Sequence, residues 1–526
     1  MEVLLRLCAA VQSLVRLLTG PLFWLINLRP APPCPPIKEP LVFMSATELA
    51  RSIRTGQVTS RSVVQAYARR ITEVNPVLNC IVEARIAAAL EEADAVDQLI
   101  ASGQKTLEQM EKETPFLGVP FTVKESCSVK GMSYVVGSVG RKGRRAERDG
   151  GAVAYMKKAG AIVLAITTTP ELCLSWETNN LVIGSTSNPY DTRRTSGGSS
   201  GGEAAIIGAA GSVIGLASDI AGSIRIPAMY NGIYGHKPTP GIIPITGHYP
   251  YVDEDPNFLK YLVIGPMARY AEDLRPMVKV LSGENAAKLR LDEKVDISKL
   301  RIYYMEDAGF SMAVLPVDKS IKKCIRHSAE ALRKEHNAYV EKAKLKEFGQ
   351  SLEISSAVFF GMDGIPDLLN NPYNPKQSLN LYVEILKSCF GLSKLAFSTL
   401  AFYFLRDVNC FIPKRKFQHY LAKNEALSKK LNLLLGDDAV LLYPTHPTPA
   451  GFHNEMYVKT SGVLYAMAIN TLGLPSTQVP VGFNSQGLPL GFQVVAGPNQ
   501  DRLSIAVAEE LQRLMGGWTP PGACVM

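Results

Sequence analysis

The apolar positions of this chain fall into three textures. The first runs from Val3 to Leu28 and is almost continuously hydrophobic, interrupted by Arg6, Gln12, Ser13 and Arg16. On a helical wheel those four share one arc. That predicts a helix lying along a membrane interface in preference to a clean span, although the run is long enough to cross a bilayer. A proline-rich segment, Arg29 to Pro40, follows as a stiff spacer.

The second texture alternates helical periodicity with short apolar runs. Ser45-Ala46-Thr47-Glu48 is a capping box opening a short helix that stops near Gly56. Helices are expected at about Ser62 to Glu73, ended by Asn75-Pro76, and at about Glu83 to Ala101. Val119 to Lys124 reads as a strand, Ala152 to Lys158 as a helix and Ala161 to Ile166 as a strand, with Gly160 as the stop between the last two. Leu274 to Leu281 and Leu503 to Met515 read as helices, Leu300 to Met305 and Ala439 to Tyr443 as strands. Such alternation predicts an α/β fold, a central mixed, twisted sheet surrounded by helices. The third texture is Ile385 to Leu405, apolar with few charges. A buried helix pair and a hydrophobic cap that touches membrane both fit it, while Lys387, Gly391 and Lys394 argue against a span.

Composition narrows the classes. At 526 residues the chain exceeds one ordinary domain, yet no long linker divides it. The net charge of +8 comes without basic runs interleaved with aromatics, which excludes a nucleic-acid partner and fits an anionic membrane surface. Nine cysteines are scattered singly, the pattern of a reduced compartment without disulfides or zinc.

The chemistry gathers between Thr195 and Pro238. Gly197-Gly198-Ser199-Ser200-Gly201-Gly202 opens a small-residue helix, and the apolar run Val213 to Ala217 leads into Asp219-Ile220-Ala221-Gly222-Ser223. No lysine lies between Arg194 and Lys237, so this is not a phosphate loop of the Walker type. Ser223, before a helix at Ile224 to Tyr230, is the candidate nucleophile, with the N–H groups from Ile220 to Ser223 as an oxyanion hole. Its base is not evident among the seven histidines, and the Gly-x-Ser-x-Gly elbow is absent. Lys124 is the better base: it ends an apolar strand, and burial favours the neutral amine that a base requires. Trp176 is divided between core packing and the substrate entrance. Asp219 and Arg225 are expected to pair structurally.

The order Lys124, Gly-Gly-Ser199-Ser200-Gly-Gly, Asp219-Ile-Ala-Gly-Ser223-Ile-Arg-Ile-Pro and Gly235-His-Lys-Pro238 resembles the amidase signature family of Ser-Ser-Lys hydrolases. The likeness continues through Asn188-Pro189, Gly265-Pro266-Met267 and Gly473-Leu474-Pro475 to Gly487-Leu488-Pro489-Leu490-Gly491, covering nearly everything from Ser45 onward. Within the family the chain is similar to the branch that hydrolyses fatty-acid amides. The resemblance implies Ser223 as nucleophile, Ser199 as bridging serine after a cis peptide bond, Lys124 as base and Ser200 as a supporting hydrogen-bonding residue. It implies a substrate-binding set of Cys173, Ser199, Ile220, Ala221, Gly222 and Ser223, and no metal, nucleotide or other cofactor. Where the family usually has Gly-Gly-Ser, this chain has Ala221-Gly222-Ser223, so a reshaped oxyanion loop is expected.

The expected organisation is a hydrophobic anchor helix with its spacer at 1–40 and a catalytic domain at 41–526, in which 318–437 varies and selects substrate. The expected activity is hydrolysis of primary fatty amides and N-acylethanolamines at a bilayer or lipid-droplet surface, inside the cell on a membrane such as the endoplasmic reticulum. A homo-oligomer is left open. The alternatives are an amidase or amidotransferase acting on small amides, or an inactive lipid-binding membrane protein.

Overall fold

A computed structural model describes residues 2–251, 256–309, 314–360, 368–369, 378–407 and 412–522. Among these residues eleven strands form one mixed sheet. The first six in chain order are β1 (Ile81–Ala84), β2 (Pro120–Lys124), β3 (Ile162–Thr167), β4 (Ile214–Asp219), β5 (Tyr234–Lys237) and β6 (Val263–Ala268). β7 (Arg301–Tyr304), β8 (Tyr339–Lys342), β9 (Ala439–Tyr443), β10 (Ser476–Phe483) and β11 (Pro489–Ala496) complete it. Across the sheet the order is β1-β3-β2-β4-β6-β5-β10-β11-β9-β7-β8. The runs β3-β2-β4 and β9-β7-β8 are parallel, and the strands between them pair antiparallel. β2, β3, β4 and β9 are buried along their whole length because helices cover both faces, whereas the edge strands β1 and β8 are partly exposed.

The capping box forms as read: the Ser45 hydroxyl accepts from Glu48 N, and the Glu48 carboxylate from Ser45 N. The next helix runs through the expected stop, from Ser60 to Leu78. Pro76 occupies its last turn, and Asn75 turns its side chain outward to accept from Cys80 N and Ile81 N. The helix expected from Glu83 begins at Ile86, because β1 precedes it.

β5, β6, β10 and β11 were not expected as strands, because glycine and proline interrupt their apolar runs. Here those residues serve close packing. A Cβ on Gly265 would lie 2.2 Å from His236 O, and one on Gly491 2.5 Å from Val479 O.

The hydrophobic N-terminus is a helix, Glu2–Ile26, with Pro21 inside it. Among the described residues no helix is long and apolar enough to cross a membrane, so the transmembrane reading gains no support. Arg6 Nε pairs with Glu353 Oε1 at 2.6 Å, and Gln12 Nε2 donates to Tyr457 O at 2.7 Å. The arc docks on the protein, leaving Val3, Leu7, Leu14, Leu18, Leu22 and Trp24 exposed. The spacer is strapped down by buried Arg70, which donates to Pro35 O and Pro36 O.

Ile385 to Leu405 spans parts of two helices, Leu381–Cys389 and Phe397–Asp407, with Gly391 between them at φ 68°. Leu381, Leu395, Leu400 and Tyr403 pack inward, whereas Leu386, Phe390, Leu392 and Phe397 are exposed. The pair therefore has a packed face and an apolar outer face. Within the expected variable region, 361–367, 370–377 and 408–411 lie outside the described residues.

Candidate active site

β2 and β4 are parallel neighbours, so both deliver their carboxyl ends to one edge of the sheet, where α/β folds build their sites. Lys124 ends β2 and Ser218-Asp219 ends β4. Lys124 is fully buried, its Nζ 2.7 Å from Ser199 Oγ and 3.0 Å from Ser218 Oγ. Ser199 stands just before the helix Gly201–Gly208, after a cis peptide bond with Gly198. A Cβ on Gly198 would press within 2.8 Å of the Ser175–Glu177 backbone, so glycine is required there.

Ser223 lies beside this pair, with its carbonyl accepting from Ser200 N at 3.3 Å. Among the described residues no hydrogen bond joins the hydroxyls of Ser199 and Ser223. Ser200 Oγ donates to Ser218 O at 3.4 Å, tying the two serine knots together.

The loop before Ser223 is built around Asp219. Its buried carboxylate accepts from Gly222 N (2.7 Å), Ile224 N (3.0 Å), the Arg225 guanidinium (3.1 Å) and Asn470 Nδ2 (2.8 Å). Burial pushes this carboxyl up, but the Arg225 charge and the hydrogen bonds outweigh it and hold it well below the usual carboxylate range. Asp219 and Arg225 are thus paired, as the sequence reading has them. The arrangement also corrects that reading. Gly222 N–H is spent on Asp219, so the amides without an acceptor among the described residues are those of Ile220, Ala221 and Ser223.

Positive φ falls on Gly222, at 99°, and not on Ala221. Ala221 is therefore spared the backbone conformation that its side chain resists, and its methyl belongs to a cluster with Tyr261, Val358 and Phe359. Trp176 Nε1 donates to Ala221 O at 2.9 Å, so this half-buried ring braces the loop from the side the sequence left undecided.

Cys173 follows Leu172, and both have left-handed backbones, at φ 61° and 50°. Burial raises its thiol, but Lys124 and a hydrogen bond with His248 outweigh that and pull it down to about 6. Beneath the site, Glu203 accepts from Thr122 and Thr167 hydroxyls, and burial pushes its carboxyl up to about 8.

One neighbour of Lys124, Ser218, and the residue behind it, His248, escaped the sequence reading. Ser218 precedes Asp219, and the parallel register of β2 with β4 is the signal that would have placed it beside the lysine. His248 comes from a distant loop and reaches Ser218 Oγ at 2.9 Å. It carries no local sequence signal.

This chemistry, a buried amine against one serine and a second serine under free backbone amides, is that of acyl transfer. The amidase family model matches residues 62–504. Fatty-acid amide hydrolase 2 of Homo sapiens is 42% identical over 93% of this chain and 92% of its own length. An indoleacetamide hydrolase of Bradyrhizobium diazoefficiens is 28% identical over 91% of this chain and 88% of its own. Among solved structures, one of fatty acid amide hydrolase superposes with a TM-score of 0.72 at 22% identity, covering 91% of this chain and 87% of the other, a likeness of fold. The sheet, the serine knots and these matches agree: the chain belongs to the amidase signature family and is an amide hydrolase.

Proposed function

We propose that the protein is a serine hydrolase of fatty-acid amides, working at a lipid surface by a Ser-Ser-Lys mechanism. The observation that carries the mechanism is the 2.7 Å contact from Lys124 Nζ to Ser199 Oγ, beside Ser223 and its free amides. Neutral Lys124 takes the proton of Ser199, which takes that of Ser223, and Ser223 Oγ attacks the amide carbon. The amides of Ile220, Ala221 and Ser223 receive the oxyanion. Collapse breaks the C–N bond, and the proton held by Lys124 returns through Ser199 to the leaving nitrogen. Water then attacks the acyl-enzyme, with Ser199 and Lys124 receiving its proton, and frees the acid and Ser223.

Residues 41–526 form the catalytic domain in this reading, with 318–437 selecting substrate, and residues 1–40 hold it at the surface. Support for the lipid surface comes from two apolar faces. The N-terminal helix and the helices Leu381–Cys389 and Phe397–Asp407 expose large hydrophobic side chains that a soluble monomer would bury. Tyr457 links them: its carbonyl receives Gln12, and its ring meets Phe397 edge-on, 5.2 Å between centroids. Beside it lies a cavity of ≈ 230 Å³ whose lining mixes Leu181, Leu395 and Phe397 with Asn179, Ser393 and Asn454. The human relative's name, fatty-acid amide hydrolase 2, supports the substrate class.

The test is hydrolysis of an amide panel from acetamide to oleamide and N-acylethanolamines, with fluorophosphonate labelling in parallel. Labelling with a preference for long chains is expected. A preference for short amides would favour a small-amide hydrolase, and absence of labelling would overturn the serine mechanism.

A further inference from the structure

The base in the proposed mechanism has a directional problem that its immediate neighbours do not solve. A neutral lysine amine has two N–H donors and one lone pair. Lys124 Nζ touches two hydroxyls, Ser199 Oγ at 2.7 Å and Ser218 Oγ at 3.0 Å, and each can donate or accept. If Ser218 donates to the lone pair, Ser199 cannot pass its proton there.

His248 settles the direction. Its ring is buried, with Nδ1 2.8 Å from Pro250 O. A carbonyl only accepts, so Nδ1 carries the hydrogen, and in the neutral ring Nε2 is the acceptor. Nε2 lies 2.9 Å from Ser218 Oγ, so the Ser218 proton points to His248. Ser218 then offers Lys124 only lone pairs, and the lysine lone pair is left for Ser199. The ring is held by its backbone: His248 N donates to Ile245 O, and Tyr249 N to Ser126 O. Resting on the Ser-Ser-Lys reading above, we propose that His248 is a positioning residue that acts through Ser218 to keep the lone pair of Lys124 aimed at Ser199.

Protonation reverses the device. An imidazolium has a hydrogen on Nε2 and donates to Ser218, which frees the serine proton to occupy the lysine lone pair. The other groups around the ring that ionise are Cys173, Cys127 and Tyr134, and Arg141 stands over the neighbouring Tyr249 ring.

The test uses the full-length enzyme and compares His248→Phe, His248→Gln, Ser218→Ala and Lys124→Ala. His248→Phe lacks an acceptor and should slow fluorophosphonate labelling and kcat about tenfold to a hundredfold, with KM little changed. His248→Gln keeps a neutral acceptor and should recover most of that rate. Ser218→Ala deletes the oxygen through which the ring acts, so the loss caused by His248→Phe should vanish in a Ser218→Ala background. A full His248→Phe loss on top of Ser218→Ala overturns the inference, and a His248→Gln enzyme that stays as slow as Lys124→Ala overturns it even if His248→Phe does not fold. So does wild-type labelling of His248→Phe. Lys124→Ala separates the two readings: wild-type labelling there sinks the lysine base itself, whereas its loss beside a fully active His248→Phe sinks only the role of His248.

Discussion

The serine knots and the apolar periphery solve opposite problems. Around Lys124, Ser199 and Asp219 the protein buries ionisable and polar groups and pairs most of them within the chain: Asp219 alone collects five hydrogen bonds from Gly222, Ile224, Arg225 and Asn470, while the Ser223 hydroxyl and three loop amides keep no partner among the described residues. Around the N-terminal helix and the helix pair near Gly391, it does the reverse. Leu7, Leu18, Trp24, Phe390 and Leu392 face outward, while Arg6 and Gln12 turn inward to hold the helix on. A buried polar group without a partner costs roughly 1–3 kcal/mol, so the interior must be satisfied within the chain. An exposed apolar face carries no such internal remedy and calls for a partner outside it. The first region is complete by itself; the second, in the proposed function, is half of an interface.

The sharpest test of the complete region is Ser223→Ala. Labelling and hydrolysis should fall by at least about a thousandfold, since the nucleophile is lost outright. The melting temperature should stay within a degree or two, because the Ser223 hydroxyl holds nothing together among the described residues. A labelled Ser223→Ala protein would move the nucleophile, with Ser199 the first suspect.

How much of this contrast the sequence shows depends on the range of the interactions. Lys124, Ser199 and Ser223 stand in motifs whose glycines are demanded by local backbone, and those motifs place them without a fold. Gly222 needs its 99° φ, and Gly198 has no room for a Cβ. Ser218 and His248 are different, since one reaches Lys124 through strand pairing and the other reaches Ser218 from a loop 30 residues further on. The use of Gly222 N–H by Asp219 was equally hidden, because a hydrogen bond consumes a donor without any trace in residue type. At the periphery the apolar runs were plain, but their direction was not. A wheel shows that Arg6 and Gln12 share an arc and cannot show that Glu353 and Tyr457 wait beneath it.

Removing residues 1–28 should release much of the protein from phosphatidylcholine–phosphatidylserine vesicles in flotation, while a short soluble amide is still hydrolysed. The helix pair should retain the rest through its buried apolar area. Charges on that pair belong at Leu392 and Phe397, which are exposed, and not at Phe402, which packs against the cluster of Leu400 and Tyr403. Leu392→Glu with Phe397→Glu in the truncated protein should abolish residual flotation and slow long-chain amides selectively, since a carboxylate resists entry into lipid. Equal loss on short and long amides would class these positions as core. A truncated enzyme that stays fully bound would deny the helix its anchoring role.

The interior has one group whose ionisation should be visible as stability. Burial raises the Glu203 carboxyl to about 8, against 4.5 ordinarily. The folded protein holds this proton more tightly than the unfolded chain does. Its stabilisation is therefore complete below the ordinary value, declines above it, and is lost as pH rises through about 8. Glu203→Gln keeps the shape and cannot ionise, so it should flatten the decline in denaturation midpoint between about pH 5 and 8. An unchanged slope over that window in the variant would mean that Glu203 is ionised in the fold.

The smallest expected effect belongs to Ala221→Gly, and it decides whether the alanine is an adaptation or an accident. Glycine would help only where φ is positive, and the positive φ falls one residue later, on Gly222. The Ala221 methyl meanwhile packs with Tyr261, Val358 and Phe359, and its carbonyl accepts from Trp176 Nε1. Losing the methyl gives up about 0.8 kcal/mol of apolar burial, and a second glycine in series adds about 0.5–1 kcal/mol of backbone entropy to be lost on folding. The variant should therefore melt a few degrees lower, with kcat/KM reduced no more than a few-fold, because Trp176 and Asp219 still brace the loop from both sides. Faster hydrolysis would show that the methyl crowds the substrate carbonyl. A loss of a hundredfold would show that the amides of Ile220, Ala221 and Ser223 are aimed by that methyl, which would make the complete region depend on the same packing that joins it to the helix Ser351–Phe360.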